Sequence, residues 1–153
     1  MNKILNYILI VFLFTLLSCD YKPILSKKNY QFSINVEEIN GDQQVNSILL
    51  DNFDNLSNDN NNEYYITVTS IKEKNIILKD SKGDPSIYEL IVDVSYEVKK
   101  EGKTIIENNL TRNTTYNNIS DKFELENYEN NIINNLCTNI SDRIIFSISE
   151  VNE

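Results

Sequence analysis

Few residues of this 153-residue chain could do chemistry. Histidine is absent, which removes the commonest general base and the commonest metal ligand near neutral pH. Carboxylates are plentiful, yet none falls at a spacing that marks a catalytic pair, and the three glycines are too scattered to cradle a phosphate. Two thiols remain, Cys19 and Cys137. Cys137 sits inside an apolar helical pattern, where cysteine behaves as a small buried hydrophobe rather than a reactive group. No pattern brings Lys, Tyr, carboxylate and Cys137 together, so an enzyme is the remotest reading, and no metal or free cofactor is expected.

Cys19 stands apart by its setting. Ile4 to Leu17 is an apolar run behind a short start bearing Lys3, the charge order of an export signal, and it is shorter than the roughly 20 residues that span a hydrocarbon core. Leu16-Leu17-Ser18-Cys19 resembles the lipobox of bacterial lipoproteins, with Leu three positions before the cysteine and a small residue at the cut. Leu17 departs from the small residue usual at the position between. The resemblance implies a diacylglycerol thioether on Cys19, cleavage after Ser18 and acylation of the freed amino group. Two or more acyl chains bury methylenes at about 0.8 kcal/mol each, enough for stable anchoring. The alternative is a structural cysteine behind an uncleaved anchor. Residues 1–18 are thus expected to be a signal peptide. Residues 19–29, with Pro23 and the lysines Lys22, Lys27 and Lys28, would be a lipidated tether, leaving 30–153 as one domain.

The formal charge of −9 includes Lys3, so the processed chain carries −10. Such a chain is a poor partner for nucleic acid or for general adhesion to anionic membrane. With Cys19 acylated, Cys137 has no disulfide partner and the fold must stand on its core. Asn is abundant, as at Asn58, Asn60, Asn61 and Asn62 and again at Asn130, Asn131, Asn134 and Asn135, and reads as compositional bias.

The elements follow from hydrophobic period. Tyr30, Phe32, Ile34 and Val36 alternate with polar residues, predicting a half-buried strand that ends at Gly41-Asp42. Val45, Ile48, Leu49, Phe53 and Leu56 recur at helical spacing, predicting a helix over 42–56 with Asp42 as N-cap, followed by a polar loop. Residues 63–74 alternate with high β-branched content, with a resumption at Ile76-Ile77-Leu78 before a turn at 79–85. Tyr88, Leu90, Val92, Val94, Tyr96 and Val98 then face one way, and Glu89, Asp93, Ser95 and Glu97 the other. Gly102 is suited to the positive φ of a hairpin turn, and the return strand over 104–116 directs Ile106 and Leu110 to the core side.

A long helix is expected from Asp121 toward Val151, with Asp121 and Glu124 in capping relation. Its stripe is Leu125, Tyr128, Ile132, Leu136, Ile140, Ile144 and Ile148, widened by Ile133, Cys137 and Ile145. The order β-α-β-β-β-α implies a two-layer α+β sandwich, a four-stranded mixed sheet with two helices on one face.

Cys19-Asp20-Tyr21-Lys22-Pro23-Ile24, this element order and the C-terminal helix after Thr114-Thr115-Tyr116 together resemble the LPS-assembly lipoprotein family, LptE. Tyr21 and Pro23 match the family's start and Ile24 is conservative. Asp20 replaces the usual Gly, and in enteric bacteria an Asp there retains lipoproteins in the inner membrane. The resemblance favours the outer membrane, at its periplasmic face. It implies a non-enzymatic plug and assembly partner of the large LptD β-barrel, assisting delivery of lipopolysaccharide to the surface. By topology it also implies that Lys79, Lys82 and Lys122 meet lipopolysaccharide phosphates. The alternative is an envelope lipoprotein that binds a small apolar or glycan ligand or regulates cell-wall synthesis.

Overall fold

The computed structural model describes residues 32–54 and 62–152. The signal, the tether, Cys19, Tyr30, Leu56 and most of the polar loop after it lie outside these residues. The element order is β1 (Ser33–Gly41), α1 (Gln43–Asp54), β2 (Glu63–Lys79), β3 (Pro85–Lys100), β4 (Lys103–Asn117) and α2 (Lys122–Asn152). The strands lie in the order β1-β2-β3-β4, with β1 parallel to β2 and the other pairs antiparallel. The expected α+β fold with a four-stranded mixed sheet and two helices is the fold observed.

In β1, Phe32 and Ile34 are buried as their alternation requires. A register shift between Val36 and Glu38 then inserts Glu37 as an extra residue and returns Ile39 to the side of Val36. The strand ends where Gly41, at φ 103°, presses on the carbonyl of Ser70. Asp42 caps α1 as expected, its Oδ1 accepting from the amides of Gln44 (3.1 Å) and Val45 (3.0 Å). Val45, Leu49 and Phe53 are fully buried beneath it.

β2 runs without a break to Lys79 instead of pausing near Asn75, which pairs with Glu89. Bulges between Ile76 and Leu78 and between Leu78 and Lys79 absorb the run Ile76-Ile77-Leu78, and all three side chains stay about half exposed. The β3–β4 turn has both central residues at positive φ, Glu101 at 51° and Gly102 at 74°, the backbone of a two-residue hairpin. Ile106 and Leu110 pack on the core as expected.

Asp121 caps α2, accepting from Phe123 N and Glu124 N at 2.9 Å each. Both expected lines of the helix meet the core: Ile140, Ile144 and Ile148 are fully buried, Ile133, Cys137, Ser141 and Ile145 are buried beside them, Leu125, Ile132 and Leu136 are partly buried, and only Tyr128 departs, at 46% exposed. The stripe is wide because α2 packs on α1 as well as on the sheet, with Asn52 donating to Ser141 Oγ (3.0 Å) and Gln44 to Asn130 (2.8 Å). One core joins both helices to Tyr64, Ile66, Val68, Leu90, Val92, Val94, Tyr96 and Val98 of the sheet.

Candidate functional site

Strand pairing decides which side chains share each side of the sheet. On the helix side, polar clusters border the apolar core, one at the start of α1 and another at the start of α2. At the start of α1, Ser70 is buried and its hydroxyl donates to Asn46 Oδ1 (2.6 Å), while the Asp42 amide donates to Ser70 Oγ (3.1 Å). Lys72 completes this cluster, 3.1 Å from Asp42 and donating to Gln44 (2.9 Å). Burial pushes the Asp42 carboxyl up, but the Val45 amide, the Lys72 ammonium and the Gln44 amide outweigh it and hold the group below its ordinary value.

The second cluster joins the β2–β3 hairpin to the first turns of α2. Lys74 pairs with Glu129 at 2.5 Å and lies 4.2 Å from the centre of the Tyr88 ring. Tyr88 stacks on Tyr116, Tyr116 meets Tyr128 edge-on, and the Tyr116 hydroxyl donates to Glu129 (2.7 Å). Burial, then the bond to the Glu129 carboxylate, push the Tyr116 hydroxyl well above its usual value. The sequence marked Tyr88, Tyr116 and Tyr128 only as parts of their elements, because their partnership with Lys74 and Glu129 depends on the register of β2, β3 and β4.

Among the described residues no helix covers the other side of the sheet, where carboxylates, amides and hydroxyls surround Ile71, Ile87 and Ile91. Asn113 donates to Glu89 (2.7 Å), Asn109 to Asp93 (2.7 Å) and to Ser95 (2.9 Å), Thr111 to Asp93 (2.6 Å), and Thr104 to Glu97. The ladder of amides and hydroxyls therefore fixes the carboxylates of β3 in place. A depression of about 480 Å³ opens among Thr67, Thr69, Ser95, Glu97, Glu107 and Asn109.

Lys79, Lys82 and Lys122 are all exposed. Lys79 ends β2, Lys82 lies in the turn after it, and Lys122 opens α2. The turn is shaped by Asp80, whose Oδ1 accepts from the amides of Lys82 (2.8 Å) and Asp84 (2.9 Å). Asn118, in the link between β4 and α2, donates through its side chain to Pro85 O (2.8 Å) and through its amide to Ser86 O (2.9 Å). The hairpin tip and the start of α2 thus share one end of the sheet. Phe123 (74% exposed) and the exposed Ile76, Ile77 and Leu78 lie on the elements that meet there. Cys137 is fully buried, its thiol pushed up to about 11 chiefly by burial, with the Asp42 charge adding to the rise. Among the described residues no group of three or more Cys, Asp or Glu is placed to hold a metal, and no helix is long and apolar enough to cross a membrane.

The architecture defines a two-layer α+β domain with one covered and one open sheet face, and solved bacterial lipoproteins share it. Rare lipoprotein B from Shewanella oneidensis superposes with a TM-score of 0.57 at 14% identity, over 77% of this chain and 96% of that one. Lipoprotein B from Nitrosomonas europaea does so with a TM-score of 0.50 at 15% identity, over 80% and 87%. At such identities the likeness is one of fold. No protein-family model matches the chain, and no curated protein matches its sequence.

Proposed function

We propose that this chain is a lipid-anchored subunit of a lipopolysaccharide export translocon at the outer membrane. In this reading it seats in, and helps assemble, a large LptD-like β-barrel. The observation that carries the reading is the fold shared with the two lipoproteins, on a chain whose Ser18-Cys19 follows an export-type apolar run. The open sheet face adds support, since a ladder of Asn, Thr and carboxylate side chains suits a water-lined barrel interior. Cys19 carries the lipid; the domain supplies surfaces and no chemistry. Lys79, Lys82 and Lys122, interleaved with Asp80, Asp84 and Asp121 on the elements that meet at one end of the sheet, would meet lipopolysaccharide phosphates as single charges.

The test is twofold. Palmitate label on the protein should vanish in Cys19→Ser, fall with globomycin and fractionate with outer membrane. Purification in mild detergent should bring down a large barrel protein in equal amount, and recovery of the lipoprotein alone from a stable preparation overturns the reading.

A further inference from the structure

The side of the sheet turned away from the helices is uncovered among the described residues. Strands β2, β3 and β4 are 17, 16 and 15 residues long. At about 3.3 Å per residue and 4.8 Å between strands, the face measures roughly 50 Å by 15 Å. This approaches the ~800 Å² that each partner contributes to a stable protein interface.

Its charge is one-sided. By register, Glu73, Glu89, Asp93, Glu97 and Glu107 share this face with Lys99, with Ile71, Ile87 and Ile91, and with Lys79 opposite Pro85 at its far end, so its central part is acidic. Lys99 already lies 3.4 Å from Glu37. Glu97 and Glu107 stand directly opposite each other across β3 and β4, an arrangement that costs an isolated sheet stability. The groups bonded to these carboxylates, Asn113, Asn109, Thr111 and Thr104, are neutral and orient them without cancelling their charge. The depression among Thr67, Thr69, Ser95 and Asn109 ends at this glutamate pair and is large enough for one long side chain.

We infer that this face docks on a cationic wall of a protein partner, and that an arginine of that wall seats between Glu97 and Glu107. A guanidinium is planar and presents paired donors to carboxylate oxygens, so one side chain would relieve the repulsion and fill the depression. An anionic bilayer or a nucleic acid would be repelled by the same charges. The inference rests on the proposed function only for the kind of partner, a large β-barrel.

The experiment places a photoreactive phenylalanine analogue at exposed Thr69 of the full, lipidated chain and crosslinks in native membranes. The expected product joins position 69 to a partner segment bearing arginine or lysine. Its yield should fall severalfold in Glu97→Gln/Glu107→Gln and at least tenfold in Glu97→Lys/Glu107→Lys. The Gln variant should melt no lower than the parent, because it removes opposed charges, so its loss of crosslinking is not a loss of fold. A yield unchanged in both variants overturns the inference, as does a crosslinked segment without basic residues. A charge-dependent crosslink to a basic segment of a protein that is not a barrel supports the docking surface and overturns the barrel reading. A barrel that co-purifies undiminished with both variants, with no crosslink at position 69, overturns the docking surface and leaves the barrel reading standing.

Discussion

Gly41 lies so close to Ser70 that a Cβ on it would fall 1.9 Å from the Ser70 carbonyl oxygen. The contact joins the end of β1 to β2 at the point where the chain turns into α1, and Gly41 holds φ 103° there. Gly41→Ala therefore meets both a clash and a strained backbone, either of which costs about 1–3 kcal/mol. Urea unfolding should show a lower midpoint with an unchanged slope, and a variant as stable as the parent would contradict the packing.

Asp42 follows directly. Its carboxyl holds two α1 amides and the Lys72 ammonium, and Asp42→Ala removes all three partners at once. The loss of the cap is worth about 1 kcal/mol. Because its folded value lies below the ordinary one, the contribution is complete above the unfolded value and is lost as pH falls through the folded one. Acid unfolding should therefore be less steep in Asp42→Asn than in the parent, measured by circular dichroism below about pH 4.

The alkaline limb has a different origin. Tyr116 is raised by burial and by its bond to Glu129, so the fold prefers its protonated form. Stability is complete below the unfolded value near 10 and falls as pH rises through the folded one. Absorbance titration should show Tyr116 ionising only with unfolding, and Tyr116→Phe should remove one tyrosine from that phase. The same variant strips Glu129 of a donor while Lys74 stays in place, so its cost at neutral pH should be about 1 kcal/mol.

Much of this architecture was legible because its periods are long. The alternation from Tyr88 to Val98 and the caps at Asp42 and Asp121 are local signals, and each appears where its pattern requires. The continuity of β2 past Asn75 was hidden by its bulges, since an extra residue erases the period of two. The width of the apolar stripe on α2 was legible, but not that its second line meets α1, which depends on where Asn52 and Ser141 come together. The Glu97–Glu107 opposition was illegible for a further reason: it exists only once the register of β3 on β4 is set.

Cys137 should be chemically silent in the folded protein. It is fully buried and its thiol is raised to about 11, so almost no thiolate exists near pH 8 and no reagent reaches it. In the chain acylated at Cys19, a thiol reagent should count close to zero groups until denaturant is added and then one per chain. Cys137→Ala should leave every envelope phenotype intact while lowering stability by about 1 kcal/mol through the small cavity it opens.

Lys79, Lys82 and Lys122 are exposed and anchor no part of the core, so replacing all three by Ala should change stability by no more than about 0.5 kcal/mol. If they meet phosphates as proposed, each contact contributes at most about 1 kcal/mol in this exposed setting, and together they set about a tenfold to hundredfold change in affinity. Binding of purified lipopolysaccharide should weaken by that factor in the triple variant. Dephosphorylated lipopolysaccharide should bind parent and variant alike, because the lysines have then lost their partners. A triple variant that binds the phosphorylated form as tightly as the parent would remove these residues from the site while leaving the fold and the docking face untouched.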